Sequence, residues 1–121
     1  MDGAAGEVPE IGVREVTKME KLTKSAAIRM LGDVPGENWF WCYDGRVLKN
    51  LQELETALKE MGEETFRYHA SEAKNDFSNW VKDVIGDEKL SGDLRKSTTG
   101  AQAAKRVADR IAWLKKKLAG G

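Results

Sequence analysis

The residues with the strongest claim to chemistry stand together in Arg67-Tyr68-His69-Ala70-Ser71-Glu72-Ala73-Lys74-Asn75-Asp76-Phe77-Ser78-Asn79-Trp80. His69 is the only histidine in the chain. An imidazole can act near neutral pH as a general base or a metal ligand. Asp76 could orient it, and Lys74 could hold an anion. His69, Lys74, Asn75 and Asp76 would then make a polar pocket. The same residues have a plainer use, as the joint between two helices. His69 falls in the last turn of one helix, where the macrodipole favours a cation. Asn75 or Asp76 supplies the N-cap of the next. No metal-type spacing such as His-Glu-x-x-His accompanies the histidine, so the joint is the reading adopted.

No other stretch offers a catalytic signature. Gly-x-Ser-x-Gly, the P-loop, Gly-x-Gly-x-x-Gly and Cys-x-x-Cys are all missing from the sequence. The carboxylates are plentiful, but none sits in an apolar stretch that would raise its pKa. The reading therefore assigns no catalytic residue, no metal ligand and no cofactor.

Composition narrows the class further. A chain of 121 residues is one domain by length and can bury a core without disulfides or metals. Twenty Lys and Arg balance twenty Asp and Glu, which is unlike a strongly basic nucleic-acid binder. One third of the residues are charged, which suggests a surface laced with ion pairs. The single cysteine, Cys42, lies among Phe40, Trp41 and Tyr43, as a buried thiol in a reducing compartment would. No apolar run is long enough to span a bilayer, and the N-terminus lacks the pattern of a signal peptide. A cytoplasmic protein is expected.

The elements that must position the candidate residues can be placed from caps and periodicity. Residues 1–16 read as a flexible tail, and one compact domain is expected over 17–121. Thr17-Lys18-Met19-Glu20 has capping-box spacing, and Met19, Leu22, Ala26, Met30 and Leu31 form a stripe ended by Gly32. Asn38 to Leu48 reads as a β-hairpin over residues 39–48, turned by Asp44-Gly45. A two-residue turn puts Trp39, Trp41, Tyr43 and Leu48 on one face and Phe40, Cys42 and Val47 on the other. Both faces are apolar, so helices or a partner must cover them.

Asn50 and Glu53 cap a helix burying Leu51, Leu54, Leu58 and Met61, with Gly62 as its C′ residue. A short helix over Glu63–Ala70 turns Phe66 and Ala70 inward. Phe77, Trp80, Val81, Val84 and Ile85 follow helical spacing and stop at Gly86, and Asp87 caps a helix with Leu90 and Leu94. Thr98 or Thr99 opens a last helix with Ala104, Val107, Ala108, Ile111, Leu114 and Leu118 on one face. The sum is a mostly helical α+β fold of about six helices and one hairpin. It has no βαβ alternation.

The order of hairpin, His69, Lys74-Asn75-Asp76-Phe77, Trp80 and Gly86-Asp87 resembles a family of small archaeal domains of unknown function. Trp41-Cys42-Tyr43-Asp44-Gly45-Arg46-Val47 and Trp80-Val81-Lys82-Asp83-Val84-Ile85-Gly86-Asp87 carry the likeness over roughly residues 37–118. Members of that family stand alone or beside larger enzymes. The resemblance implies the architecture and suits an accessory module, with no established activity to carry over.

Three functions follow in order. The first is a non-catalytic accessory or protein-interaction module, whose partner would meet Trp39, Trp41, Tyr43 and Arg46 on the hairpin. The second is a nucleic-acid-binding module using the last helix. There Lys105, Arg106, Arg110, Lys115, Lys116 and Lys117 face a single acid, Asp109, and an exposed Trp39 or Trp41 could stack on bases. The third is a ubiquitin-like modifier through Gly120-Gly121, but a β-grasp fold needs more strands than this sequence offers.

Overall fold

The computed structural model describes residues 22–120. The expectations for the 1–16 tail, the Thr17–Glu20 cap with Met19, and Gly121 lie outside the described residues. Within them the chain runs α1 (Lys24–Leu31), a 3-10 turn (Gly36–Asn38), β1 (Phe40–Trp41), β2 (Val47–Leu48) and α2 (Leu51–Glu60). Then come α3 (Glu63–His69), α4 (Asp76–Trp80) with a π-helical turn (Val81–Ile85), α5 (Glu88–Arg95) and α6 (Gly100–Gly120). The expected mostly helical α+β fold is the observed one.

The helices begin where short polar side chains can accept the first free amides. Thr23 Oγ1 accepts from Ala26 N at 3.0 Å, and Asn50 Oδ1 from Glu53 N at 2.8 Å. Glu53 reaches back to the Lys49 amide at 2.8 Å, completing a box-like cap. Thr99, the second of the two threonines considered, accepts from Gln102 N at 3.1 Å to start α6. Gly62 behaves otherwise than expected. It has φ −75° and ψ 166°, ordinary extended backbone, and serves as the N-cap of α3. The last turn of α2 ends on an extended Met61, so no left-handed residue is needed there. Gly86 does take the left-handed conformation, at φ 86°.

Helix α6 is the spine of the core. It buries Ala103, Ala104, Val107, Ile111 and Leu114 against α2, α1 and α5. Leu51, Leu54, Ala57 and Leu58 of α2 meet it, and Ala27 and Met30 of α1 close a second side. After Trp80 the helix widens into a π turn, with Gly86 N bonded to Val81 O at 2.8 Å. The strict 3.6-residue period is lost there, and Val84 is only half-buried.

The hairpin is real, but its register differs from the expected one. Phe40 pairs with Leu48 and Trp41 with Val47. The amide of Cys42 donates to Arg46 O at 2.9 Å, and that of Gly45 to Cys42 O at 3.0 Å. The loop therefore has three residues, Tyr43-Asp44-Gly45, with Gly45 at φ 99°. This is the common three-residue hairpin, a turn followed by a left-handed glycine. One extra loop residue slips the second strand by one and turns its side chains over. Leu48 joins Phe40 and Cys42 in the core, and Val47 joins Trp41 outside. The inner face is covered by the helices, and the outer face is open.

Candidate functional site

His69 ends α3, and Asp76 begins α4 seven residues later. The connection between them is short and ordered. Ala70 and Asn75 form an antiparallel bridge, and Ser71 N donates to Lys74 O at 2.7 Å. Ser71 Oγ also accepts from the amides of Ala73 and Lys74, each at 3.3 Å. This turn swings the Asp76 carboxylate back onto the imidazole. His69 Nδ1 lies 2.9 Å from Asp76 Oδ2, and Lys74 Nζ donates to the same oxygen at 3.0 Å.

The far side of the ring is also occupied. The Tyr43 amide, at the hairpin tip, donates to His69 Nε2 at 2.9 Å. An amide can only donate, so Nε2 must carry a lone pair and Nδ1 the proton. The imidazole is thus a neutral Nδ1–H tautomer with both nitrogens in use. It is 5% exposed, and its ring centre lies 5.1 Å from Phe40 and 5.2 Å from Phe77. Those two rings stack at 5.3 Å, and Trp80 meets Phe40 edge-on at 5.8 Å. His69 is a core residue that bolts the hairpin to the α3–α4 joint. A general base needs a free nitrogen within reach of a substrate, and this one has none.

Of the four polar residues expected to converge, three do. Asn75 faces the other way. Its Oδ1 caps α4 by accepting from Ser78 N at 2.9 Å, and its Nδ2 donates to Leu94 O at 3.2 Å. It borders a groove of about 360 Å³ with Phe66, Arg67, Ser71 and Arg95. Among the described residues no three His, Cys, Asp or Glu side chains converge as metal ligands. Cys42 is buried, and burial first of all, with the Asp44 carboxylate beside it, pushes its thiol up, away from the thiolate.

Asp76 feels opposing forces. Burial alone would raise its pKa, but hydrogen bonds from His69 and Lys74 outweigh that and hold it below the usual carboxylate range. A depressed folded-state value means that the unfolded chain binds more protons in acid. The stabilisation is complete above the ordinary aspartate value of about 3.9 and is lost as pH falls through the depressed value. Asp76→Asn should therefore flatten the acid limb of a urea-stability-against-pH curve. An unchanged limb would mean that the pair is not formed.

The hairpin's outer side carries the exposed aromatics. Trp41, on β1, is 68% exposed, and Tyr43, at the hairpin tip, is 53% exposed. Tyr43 stacks on Tyr68 of α3, itself 52% exposed, with ring centres 4.2 Å apart. Lys74 Nζ lies 5.2 Å from the Tyr68 ring centre. Trp39 is half-buried, tilted against Trp41 at 6.5 Å, with its indole N–H donating to Val34 O at 3.1 Å. Arg46 does not face outward freely, being paired with Asp44 at 3.1 Å and Glu60 at 2.9 Å. Sequence reasoning missed Tyr68 in this surface. Its position before His69 at a helix end was the available signal.

The basic residues of α6 divide. Arg110 turns inward and grips Asp87 with two bonds, Nε to Oδ2 at 2.7 Å and an Nη to Oδ1 at 3.1 Å. Asp87 is 1% exposed and also accepts from Leu90 N as the cap of α5. Trp113 covers the guanidinium, its ring centre 4.6 Å away. Arg110 is therefore structural rather than a surface contact. Its place three residues after Val107 and four before Leu114, inside the apolar stripe, was the signal. Lys105 pairs with Asp109 at 3.2 Å. Arg106, Lys115 and Lys116 stand exposed, and Lys117 is half-buried.

These features describe a small helical domain with a closed polar joint and an open aromatic face. Comparison with family models, curated proteins and solved structures finds no significant match for the chain.

Proposed function

We propose that this chain is a non-catalytic protein-interaction module, and that a partner protein docks on the aromatic face of the hairpin with Tyr68 at its edge. One observation carries the reading: Trp41, Tyr43 and Tyr68 are more than half exposed, while the His69 ring behind them is buried with both nitrogens bonded. Large aromatic side chains are rarely left open without use, and they dominate contact hot spots. Their mounting also suits binding. Tyr43 is pinned by its amide and its stack, and Trp39 by its indole bond, so little ordering remains for a partner to impose. A cytoplasmic location belongs to the same proposal; no described helix is long and apolar enough to cross a membrane.

Trp41→Ala is the test. It removes a side chain that is two-thirds exposed, so unfolding free energy should change by no more than about 0.5 kcal/mol. Recovery of a partner from native extract should fall by about 30-fold or more, as for a hot-spot aromatic. A collapse of stability would make this face part of the core and end the proposal.

The nucleic-acid alternative keeps Arg106 and Lys115–Lys117 but not Arg110, whose charge is committed to Asp87. It requires binding that falls steeply with salt.

A further inference from the structure

The hairpin tip is fastened to the body of the domain by a bond that exists in only one protonation state of His69. Nε2 accepts from the Tyr43 amide only while it holds a lone pair. Adding a proton there sets two N–H donors against each other at a separation of 2.9 Å, and that contact cannot persist. The other side of the ring favours the proton, because Nδ1–H faces the Asp76 carboxylate, which Lys74 also holds. From the hairpin the titratable neighbours are Tyr43 itself, the buried Cys42, and Asp44, which is turned to Arg46. From α3 the neighbour is Tyr68, edge-on to the imidazole at 5.0 Å. From α4 and its approach they are Asp76 and Lys74. None of these places an acceptor on Nε2, so an imidazolium is satisfied at one nitrogen and opposed at the other.

We propose that His69 is a proton-operated latch on the aromatic face. When the ring takes up a proton, the Tyr43-Asp44-Gly45 tip lets go, Nε2–H turns to water, and Tyr43 leaves its stack on Tyr68. The contact surface is then assembled with His69 neutral and dispersed with His69 charged. No covalent chemistry is involved. One proton enters from solvent, and one amide hydrogen bond is exchanged for bonds to water. The mounting of Tyr43 makes the effect local. Its ring is more than half exposed, and the core face of the hairpin is held separately by Phe40 and Leu48. The latch deepens the interaction reading above and rests on it for its purpose, but its operation needs no partner to be seen.

The experiment is an NMR titration of the full chain from neutral to mildly acidic pH, following the one imidazole, the Tyr43 amide and contacts between the Tyr43 and Tyr68 rings. As the ring becomes charged, the Tyr43 amide should move upfield, its solvent exchange should quicken by up to about tenfold, and the ring contacts should fade. All three changes should share the midpoint of the imidazole signals, with the other core amides unmoved. In His69→Gln, which can keep an acceptor but cannot titrate in this range, the tip should show no such transition. Tip signals that stay fixed while the imidazole becomes charged would overturn the latch. So would an imidazole that stays neutral until the whole domain unfolds. A tip that opens as described in a protein that captures no partner would leave the latch standing and remove the interaction reading instead.

Discussion

Arg110→Ala should lower the unfolding free energy by about 3–5 kcal/mol in urea at neutral pH, the cost of leaving one member of a buried ion pair alone. The reason lies in what remains. Asp87 stays buried, keeps its cap bond to the Leu90 amide, and loses both bonds from the guanidinium. A carboxylate without water or a cation is expensive, and this one sits where the π turn hands over to α5. The loss also loosens α5 from α6 and uncovers Trp113. Arg110→Lys should recover part of the effect, because an ammonium restores charge but not the two-pronged geometry. Domains of this size have a total stability of about 5–15 kcal/mol, so the alanine variant should lie close to unfolding. A loss under about 1 kcal/mol, as for an exposed pair, would show that the bridge is open to solvent.

Phe77→Ala should rank beside it, at about 3–5 kcal/mol, the usual cost of emptying a buried aromatic site. Phe77 is almost fully buried at the start of α4 and stacks on Phe40 at 5.3 Å and Phe66 at 5.8 Å. It also lies against the His69 ring. The cavity would therefore open at the meeting point of the hairpin, α3 and α4, and local relaxation could not close it from one side. The loss should appear in the same urea titration, with faster exchange of the Tyr43 amide. A cost near 1 kcal/mol would mean that the surrounding rings collapse into the space.

Helix positions were legible because caps and stripes are local. Asn50 with Glu53, Asp87 with Leu90, and the stripe Val107–Ile111–Leu114 each act within a few residues, and each is found where its spacing places it. The hairpin was legible in existence but not in register, since Asp44-Gly45 fits a two-residue turn and a three-residue loop equally well. Burial of Leu48, on the strand that packs against α2, decides between them, and that is a tertiary matter. What stayed hidden depends on partners far apart in sequence. The Tyr43 amide on His69, Asn38 O on the Trp80 indole, and Arg110 on Asp87 have no pattern that a window can detect. The same holds for Ser78 and Ser91, whose buried hydroxyls lie 2.7 Å apart where α4 crosses α5. The four-residue polar cluster was half legible. His69, Lys74 and Asp76 meet as an anion-orienting group would, but the hairpin tip fills the place a ligand would need.

Both nitrogens of His69 are used by the fold, which makes the cluster a joint and leaves the hairpin's aromatic face as the candidate contact site. Long-range nitrogen–proton NMR of the imidazole at neutral pH tests this directly, and with one histidine in the chain no signal overlaps. The prediction is a single neutral tautomer, with the proton on Nδ1, a bare Nε2, and a hydrogen-bond coupling between Nε2 and the Tyr43 amide. An Nε2–H tautomer, or the averaged signals of a ring open to water, would contradict it and return His69 to the list of residues free to do chemistry.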